Sequence, residues 1–167
     1  MEWLFLALAL LLIAGTGIFV AAEFSLLTLD RHTADRAVAD GVVGAKTLRQ
    51  SMTHLSTQLS AAQVGITITT LLTGYLMEPS LGRLLSPVFE TWGLTPGLSE
   101  PLALTIALIV STVLSMIFGE LVPKNLAIAV PLATGRIAAP IQYAFSVVLR
   151  PLIAALNGTA NKILLAM

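Results

Sequence analysis

The chain has 167 residues, of which 56% are hydrophobic and 11% are charged, and its mean hydropathy is +0.91. A soluble domain carries roughly 25% charged residues, so this composition excludes an ordinary water-soluble enzyme domain and predicts an all-α integral membrane protein. The formal net charge of zero also argues against a nucleic-acid-binding protein, which needs a clustered basic surface.

Three apolar runs are long enough to cross a hydrocarbon layer of ~30 Å, which takes about 20 residues of α-helix. They predict membrane spans at about 3–29, 55–77 and 102–122. The first run is too long for a signal peptide and is preceded by Glu2 instead of a basic residue, so we interpret it as a retained span. Residues 1–167 are expected to form a single transmembrane domain.

Two further segments predict short juxtamembrane or re-entrant helices, at about 31–51 and 132–166. The first alternates acidic and basic residues at helical spacing, as a solvated helix does. The second contains apolar stretches that are too short to cross a membrane, separated by prolines that favour bends. The proline-containing segment 78–100 predicts a turn region outside the membrane.

The basic residues predict the orientation of the chain. Of the nine Lys and Arg, only Arg83 lies between the second and third spans, and the other eight lie after the first or the third span. Because Lys and Arg in short loops are retained in the cytoplasm, the N-terminus is expected outside the cell and the C-terminus inside, in the cell inner or plasma membrane.

Small and polar residues follow regular helical spacings in the second and third spans. A polar stripe with steps of four and three residues occupies one face of the second span: Ser56, Ser60, Gln63, Thr67, Thr70 and Gly74. A ridge that would allow close helix packing lies beside it: Ala61, Gly65, Thr69 and Thr73. A shorter stripe in the third span leads towards Glu120: Thr105, Thr112, Ser115 and Gly119. Such hydroxyls either bond within and between helices or line an ion site.

Two carboxylates, Glu23 and Glu120, lie at the inner ends of the first and third spans. A carboxylate in a bilayer costs at least about 2.5 kcal/mol and needs a partner. Gly119 and Pro123 flank Glu120 and predict a broken helix, whose freed carbonyls are tolerated at membrane depth where they line a cavity or bind an ion. The sequence has no cysteine, so the available ligands are oxygen atoms and imidazole, and hard oxygen ligands suit Mg²⁺ or Na⁺.

Three ordered stretches resemble the transmembrane domain of the CorC/CorB and cyclin M (CNNM) family of membrane ion transporters. They are Ala-Glu-Phe-Ser-Leu-Leu at 22–27, Leu-Ser-Ala-Ala-Gln-Val-Gly-Ile-Thr at 59–67, and Phe-Gly-Glu-Leu-Val-Pro-Lys-Asn at 118–125. The last stretch, with its Gly-Glu-x-x-Pro-Lys pattern, is the most specific of the three.

The resemblance implies a homodimer in the lipid bilayer, with three spans in each subunit, that exports Mg²⁺ with inward Na⁺ as the driving ion. It also implies a largely dehydrated Mg²⁺ held among the spans. The family ligands correspond to Ser25, Gln63 and Glu120 here, with backbone oxygens near Gly119 and Leu126. Relatives that transport Mg²⁺ often have asparagine at the position of Gln63, so the resemblance leaves the identity of the ion open.

Family members usually continue into cytoplasmic CBS modules that bind adenine nucleotide. These 167 residues contain none, so the chain is expected to be the membrane domain of a longer protein. No enzymatic activity is expected, because no Gly-x-Ser-x-Gly, P-loop or His-Glu-x-x-His pattern occurs. The alternative function is a membrane anchor or accessory subunit that positions regulatory domains or a secretion system and moves no ion.

Overall fold

A computed structural model describes residues 1–166, and the chain is helical almost throughout this range, without strands. The helices are α1 (Glu2–Thr28), α2 (Arg31–Ala39), α3 (Ala45–Thr53), α4 (Leu55–Thr91), α5 (Pro96–Leu114), a π-helical segment (Ser115–Leu121), α6 (Val122–Ala129), α7 (Pro131–Val148) and α8 (Arg150–Ala166).

Three helical stretches of the described chain are long and apolar enough to cross a membrane. They are α1, α4 and the continuous run Pro96–Ala129, which joins α5, the π-helical segment and α6. The pair α7 and α8 would qualify only as one broken span or a re-entrant loop, because the two helices are bent by 81° at their junction. The expected all-α membrane architecture with three spans and additional shorter helices is therefore confirmed.

The chain divides into two compact units, which are described separately. The acidic unit contains Met1–Gly17 and Thr67–Val122, and it carries five glutamates and one arginine. The basic unit contains Ile18–Ile66 and the described residues from Pro123 onward, and it carries the remaining eight Lys and Arg with four acidic residues.

In the acidic unit, the first half of α1 packs against the second half of α4. Ala9, Ile13 and Met77 form its buried apolar cluster. Beside this cluster, the Thr16 hydroxyl donates a hydrogen bond of 2.7 Å to the hydroxyl oxygen of Thr69. Thr69 belongs to the predicted small-residue ridge, so this part of the ridge does receive a neighbouring helix, as expected.

In the basic unit, α2, α3 and α7 enclose an apolar cluster that includes Leu26 of α1. The ridge residue Gly65 lies against the Phe19 ring so closely that a Cβ atom would be 2.8 Å from it. A buried polar network joins α4 to α7. The Gln58 side chain donates to the Ser146 hydroxyl at 2.9 Å, and the Gln142 side chain donates to the Gln58 carbonyl oxygen at 2.8 Å.

The turn region predicted for residues 78–100 is wrong over most of its length, because α4 continues to Thr91 and α5 begins at Pro96, which leaves only residues 92–95 as the connection. Pro79 and Pro87 lie inside α4. A proline removes one backbone donor and crowds the carbonyl four residues earlier, yet neighbouring helices and nearby hydroxyls make such positions tolerable in membrane helices. The hydroxyl of Ser80, for example, donates to the Leu76 carbonyl at 2.7 Å.

The polar network of the basic unit predicts that Ser146→Ala lowers stability by about 1 kcal/mol, because the buried Gln58 amide loses its acceptor. Thr159→Ala is the matched control, since that exposed hydroxyl bonds only to the Ala155 carbonyl of its own helix. Thermal unfolding of the detergent-solubilised chain checks the pair. Equal midpoints for both variants would contradict a stabilising role for the network.

Candidate cation-binding site

The five residues implicated by sequence are divided between the two units. Glu120 and Gly119 belong to the acidic unit, whereas Ser25, Gln63 and Leu126 belong to the basic unit. The five predicted ligands therefore form two sets of oxygen atoms, one in each unit.

The acidic unit contains a cavity of about 280 Å³ between α4 and the helical run of α5 and the π-helical segment. Its lining comprises two carboxylates, five hydroxyls, a glycine and one apolar side chain. They are Glu78 and Glu120; Thr70, Thr73, Ser111, Thr112 and Ser115; Gly74; and Met116. The two predicted polar stripes therefore meet along this cavity, through Thr70 and Gly74 on one side and Thr112 and Ser115 on the other.

Glu78 and Glu120 face this cavity without a basic neighbour in their own unit. The single arginine of the acidic unit, Arg83, pairs with Glu2 at 3.1 Å. The cavity lining contains no Lys, Arg or His among the described residues. The described lining therefore carries acidic side chains and no basic one, so the cavity favours a cation over an anion.

Glu120 lies within the π-helical segment, near its end. The N–H of Val122 donates to the carbonyl of Ile117, five residues earlier, in place of the usual four. Single π turns of this kind are rare and frequently occur at functional sites. Gly119 is buried beside α1, where a Cβ atom would lie 3.5 Å from the Thr16 side chain and 3.6 Å from the Ile13 carbonyl oxygen.

The helix break predicted at Gly119 and Pro123 is wrong, because the chain continues from the π-helical segment directly into α6. In a regular α-helix the Pro123 ring would crowd the carbonyl of residue 119, and that carbonyl would also lack its donor. The wider π turn directly before Pro123 relieves this conflict without ending the helix. Glu120 is thus positioned by a change in helical pitch instead of an unwound segment.

In the basic unit, Gln63 and Glu23 are joined by a hydrogen bond. The amide nitrogen of Gln63 donates to the Glu23 carboxylate at 2.8 Å. The carboxylate of Glu23 thereby acquires the polar partner that its position requires. The bond also orients the Gln63 amide, whose nitrogen is committed to Glu23.

Ser25 is fully buried, and its hydroxyl oxygen has no hydrogen-bond partner. Gly135 of α7 packs directly on it, since a Cβ atom at residue 135 would lie 2.9 Å from the Ser25 Cβ. The carbonyl oxygen of Leu126 already accepts from the Val130 N–H at 2.9 Å and from the Thr134 hydroxyl at 3.4 Å. Of these two neutral oxygens, the Ser25 hydroxyl is the one that lacks a partner.

Glu78 was absent from the residues selected by sequence. It directly precedes Pro79 and follows the apolar run, so it fell within the predicted turn region. The spacing of the polar stripe could have identified Glu78, because one more step of four residues beyond Gly74 reaches it.

Comparisons with known proteins identify related sequences over most of the chain. The family model described as the cyclin M transmembrane N-terminal domain matches residues 7–167. The UPF0053 protein MT1890 of Mycobacterium tuberculosis is 47% identical over 152 residues, which cover 91% of this chain and 33% of the relative. The UPF0053 protein YhdT of Bacillus subtilis is 39% identical over 151 residues, or 90% of this chain and 32% of the relative. The chain thus spans about a third of the length of these relatives.

The contact between Gly135 and Ser25 predicts that Gly135→Ala destabilises the chain by about 1–3 kcal/mol, since the added methyl group overpacks the helix contact. Gly158→Ala is the control, because nothing lies within 4 Å of its added Cβ and alanine favours a helix by up to about 1 kcal/mol. Thermal unfolding in detergent should therefore show opposite shifts. A Gly135→Ala variant as stable as the wild type would contradict the close packing of α7 on Ser25.

Proposed function

The chain belongs to the cyclin M transmembrane N-terminal domain family, and on this premise we propose that it is the ion-conducting domain of a transporter that exports Mg²⁺. The proposed driving force is inward movement of Na⁺. The proposed assembly is a homodimer in the cell inner or plasma membrane, with the N-terminus outside and the C-terminus in the cytoplasm.

The observation that carries the proposal is the pair of carboxylates in the cavity of the acidic unit. Glu78 and Glu120 come from two different membrane-spanning stretches and share a space lined by hydroxyl oxygens. A membrane anchor has no need for such a cavity, because an ionised carboxylate at membrane depth costs at least about 2.5 kcal/mol. A passing cation offsets that cost while it is bound, so the arrangement favours transport over anchoring.

The proposed ligands of the transported ion are the Glu120 carboxylate, the Gln63 amide oxygen and the Ser25 hydroxyl, with backbone oxygens near Gly119 and Leu126. Hard oxygen ligands of this kind suit Mg²⁺ and Na⁺. The unpartnered hydroxyl of Ser25 and the oriented amide of Gln63 support this assignment. The two donors that already bond the Leu126 carbonyl make it the weakest member of the set.

The preference for Mg²⁺ depends on how the Gln63 side chain is held. Mg²⁺ requires near-ideal octahedral geometry, and a side chain one methylene longer than asparagine is less constrained. The hydrogen bond to Glu23 reduces that freedom. Glu23 is thus proposed as a positioning residue for Gln63.

Glu120→Gln is expected to reduce Mg²⁺ flux into sealed proteoliposomes to below about one tenth of the wild-type rate, because it removes the charged ligand while keeping the side-chain shape. Glu90→Gln is the matched control, since Glu90 belongs to the same unit but lies outside the cavity lining. Unchanged flux in Glu120→Gln would defeat the ligand assignment. The absence of flux in the wild type under every Mg²⁺ and Na⁺ gradient would favour the anchor.

Coupling to Na⁺ predicts a separate result in the same vesicles. An imposed Na⁺ gradient should drive Mg²⁺ against its own gradient, and equal Na⁺ on both sides should abolish this uphill movement. A Mg²⁺-sensitive dye inside the vesicles reports the direction. Uphill movement that is independent of Na⁺ would exclude Na⁺ as the driving ion.

A further inference from the structure

We propose that the cavity of the acidic unit binds a divalent cation together with its shell of water molecules, and that Glu78 is the second charged acceptor of this site. The inference deepens the proposed function and rests on it. It concerns a hydrated ion held through its water, whereas the ligand set proposed above contacts the ion directly.

The charge of the cavity favours a divalent ion. Glu78 and Glu120 together contribute two negative charges when both are ionised, and the single arginine of their unit is engaged by Glu2. A monovalent cation would leave one charge uncompensated in a protein surrounded by hydrocarbon. Among the described residues no group of three His, Asp or Glu could hold a metal ion, so the charged ligands available in this cavity are its two carboxylates.

The volume of the cavity also fits an ion that keeps its water. A cavity needs at least about 10–15 Å³ of water-accessible space to hold one water molecule, and this cavity measures about 280 Å³. Mg²⁺ dehydrates reluctantly and usually keeps several waters in protein sites. The space therefore accommodates the complete shell.

The hydrogen-bonding character of the lining matches the outer surface of a hydrated cation. Water bound to a cation directs its oxygen to the metal and its hydrogens outward, so the site must offer acceptors. The hydroxyl protons of Thr73 and Ser111 are committed to carbonyl oxygens of their own helices, at 2.7 Å and 3.0 Å. Their oxygens thus remain acceptors in the cavity, alongside the two carboxylates.

Thr70 provides an independent indication that the cavity holds a polar ligand. Its hydroxyl oxygen is buried and has no hydrogen-bond partner, although Thr70 lines the cavity. A buried polar atom without a partner costs about 1–3 kcal/mol. A metal-bound water would supply the missing partner.

The Glu78 carboxylate lies close to Gly74. A Cβ atom at residue 74 would lie 3.2 Å from Oε1 of Glu78, so the carboxylate folds back over the preceding helical turn, and a side chain at residue 74 would displace it by a few tenths of an ångström. Glu78 and Gly74 are four residues apart and share one face of α4. The same face presents both residues to the cavity.

Hexaamminecobalt(III) tests the proposal, because its ligand shell does not exchange and it can bind only through outer hydrogen bonds. The purified chain in detergent should bind it by isothermal titration calorimetry, and Mg²⁺ should displace it. Glu78→Gln should weaken binding by about tenfold or more, as expected for the loss of a charged acceptor. Glu90→Gln should bind like the wild type, and thermal unfolding confirms that both variants are folded.

The outcomes separate this inference from the transport proposal. Failure of the wild type to bind hexaamminecobalt(III), or undiminished binding by Glu78→Gln, would overturn the hydrated-ion site whatever the flux. Displacement by Na⁺ at the same concentrations as Mg²⁺ would overturn the divalent assignment. Retained binding in a chain that transports no Mg²⁺ would instead remove the transport function and leave the hydrated-ion site in place.

Discussion

An ionised carboxylate within a hydrocarbon layer costs at least about 2.5 kcal/mol unless its charge is offset. The acidic unit carries five glutamates and one arginine, and two of these glutamates, Glu78 and Glu120, come from membrane-spanning stretches and line one cavity. Arg83 offsets Glu2, and Glu90 accepts a hydrogen bond from the buried Ser99 hydroxyl. Glu78 and Glu120 obtain neither kind of partner and share a cavity instead. The stripe of hydroxyls and the π-helical segment both border that cavity.

The π turn keeps backbone polar groups paired near Glu120. A proline three residues after Glu120 would ordinarily end or kink the helix, and a helix end at membrane depth exposes unpaired carbonyls. In the π-helical segment a backbone N–H donates to the carbonyl five residues earlier, and this wider turn accommodates Pro123. The helix therefore continues to Ala129. Glu120 keeps its place opposite α4, and the backbone polar groups around it remain within a helix.

Composition and hydropathy were sufficient to predict the helical membrane fold, because crossing a bilayer leaves a chain few alternatives. The stripe on the second span was visible for the same reason, since helical spacing maps directly onto one face. Glu78 was missed because a proline beside a glutamate after an apolar run is typical of a loop. Whether a helix passes through Pro79 depends on packing with neighbouring helices, which the local sequence does not contain. The hydrogen bond between Gln63 and Glu23 could not be predicted either, because it joins residues forty positions apart and depends on how their helices pack.

The two sets of oxygen atoms differ in burial and in the space around them, and this difference bears on the proposed transport. The Ser25 hydroxyl is fully buried and lacks a partner, so it suits direct contact with an ion that has lost water. The cavity around Glu78 and Glu120 has room for a complete shell and an acceptor-rich lining. Stripping water from Mg²⁺ is the costly step for any Mg²⁺ site. Glu120 is the residue to which both proposed roles are assigned. Its position on a π turn, a form of helix frequently found at functional sites, is therefore the structural feature that the two proposals share.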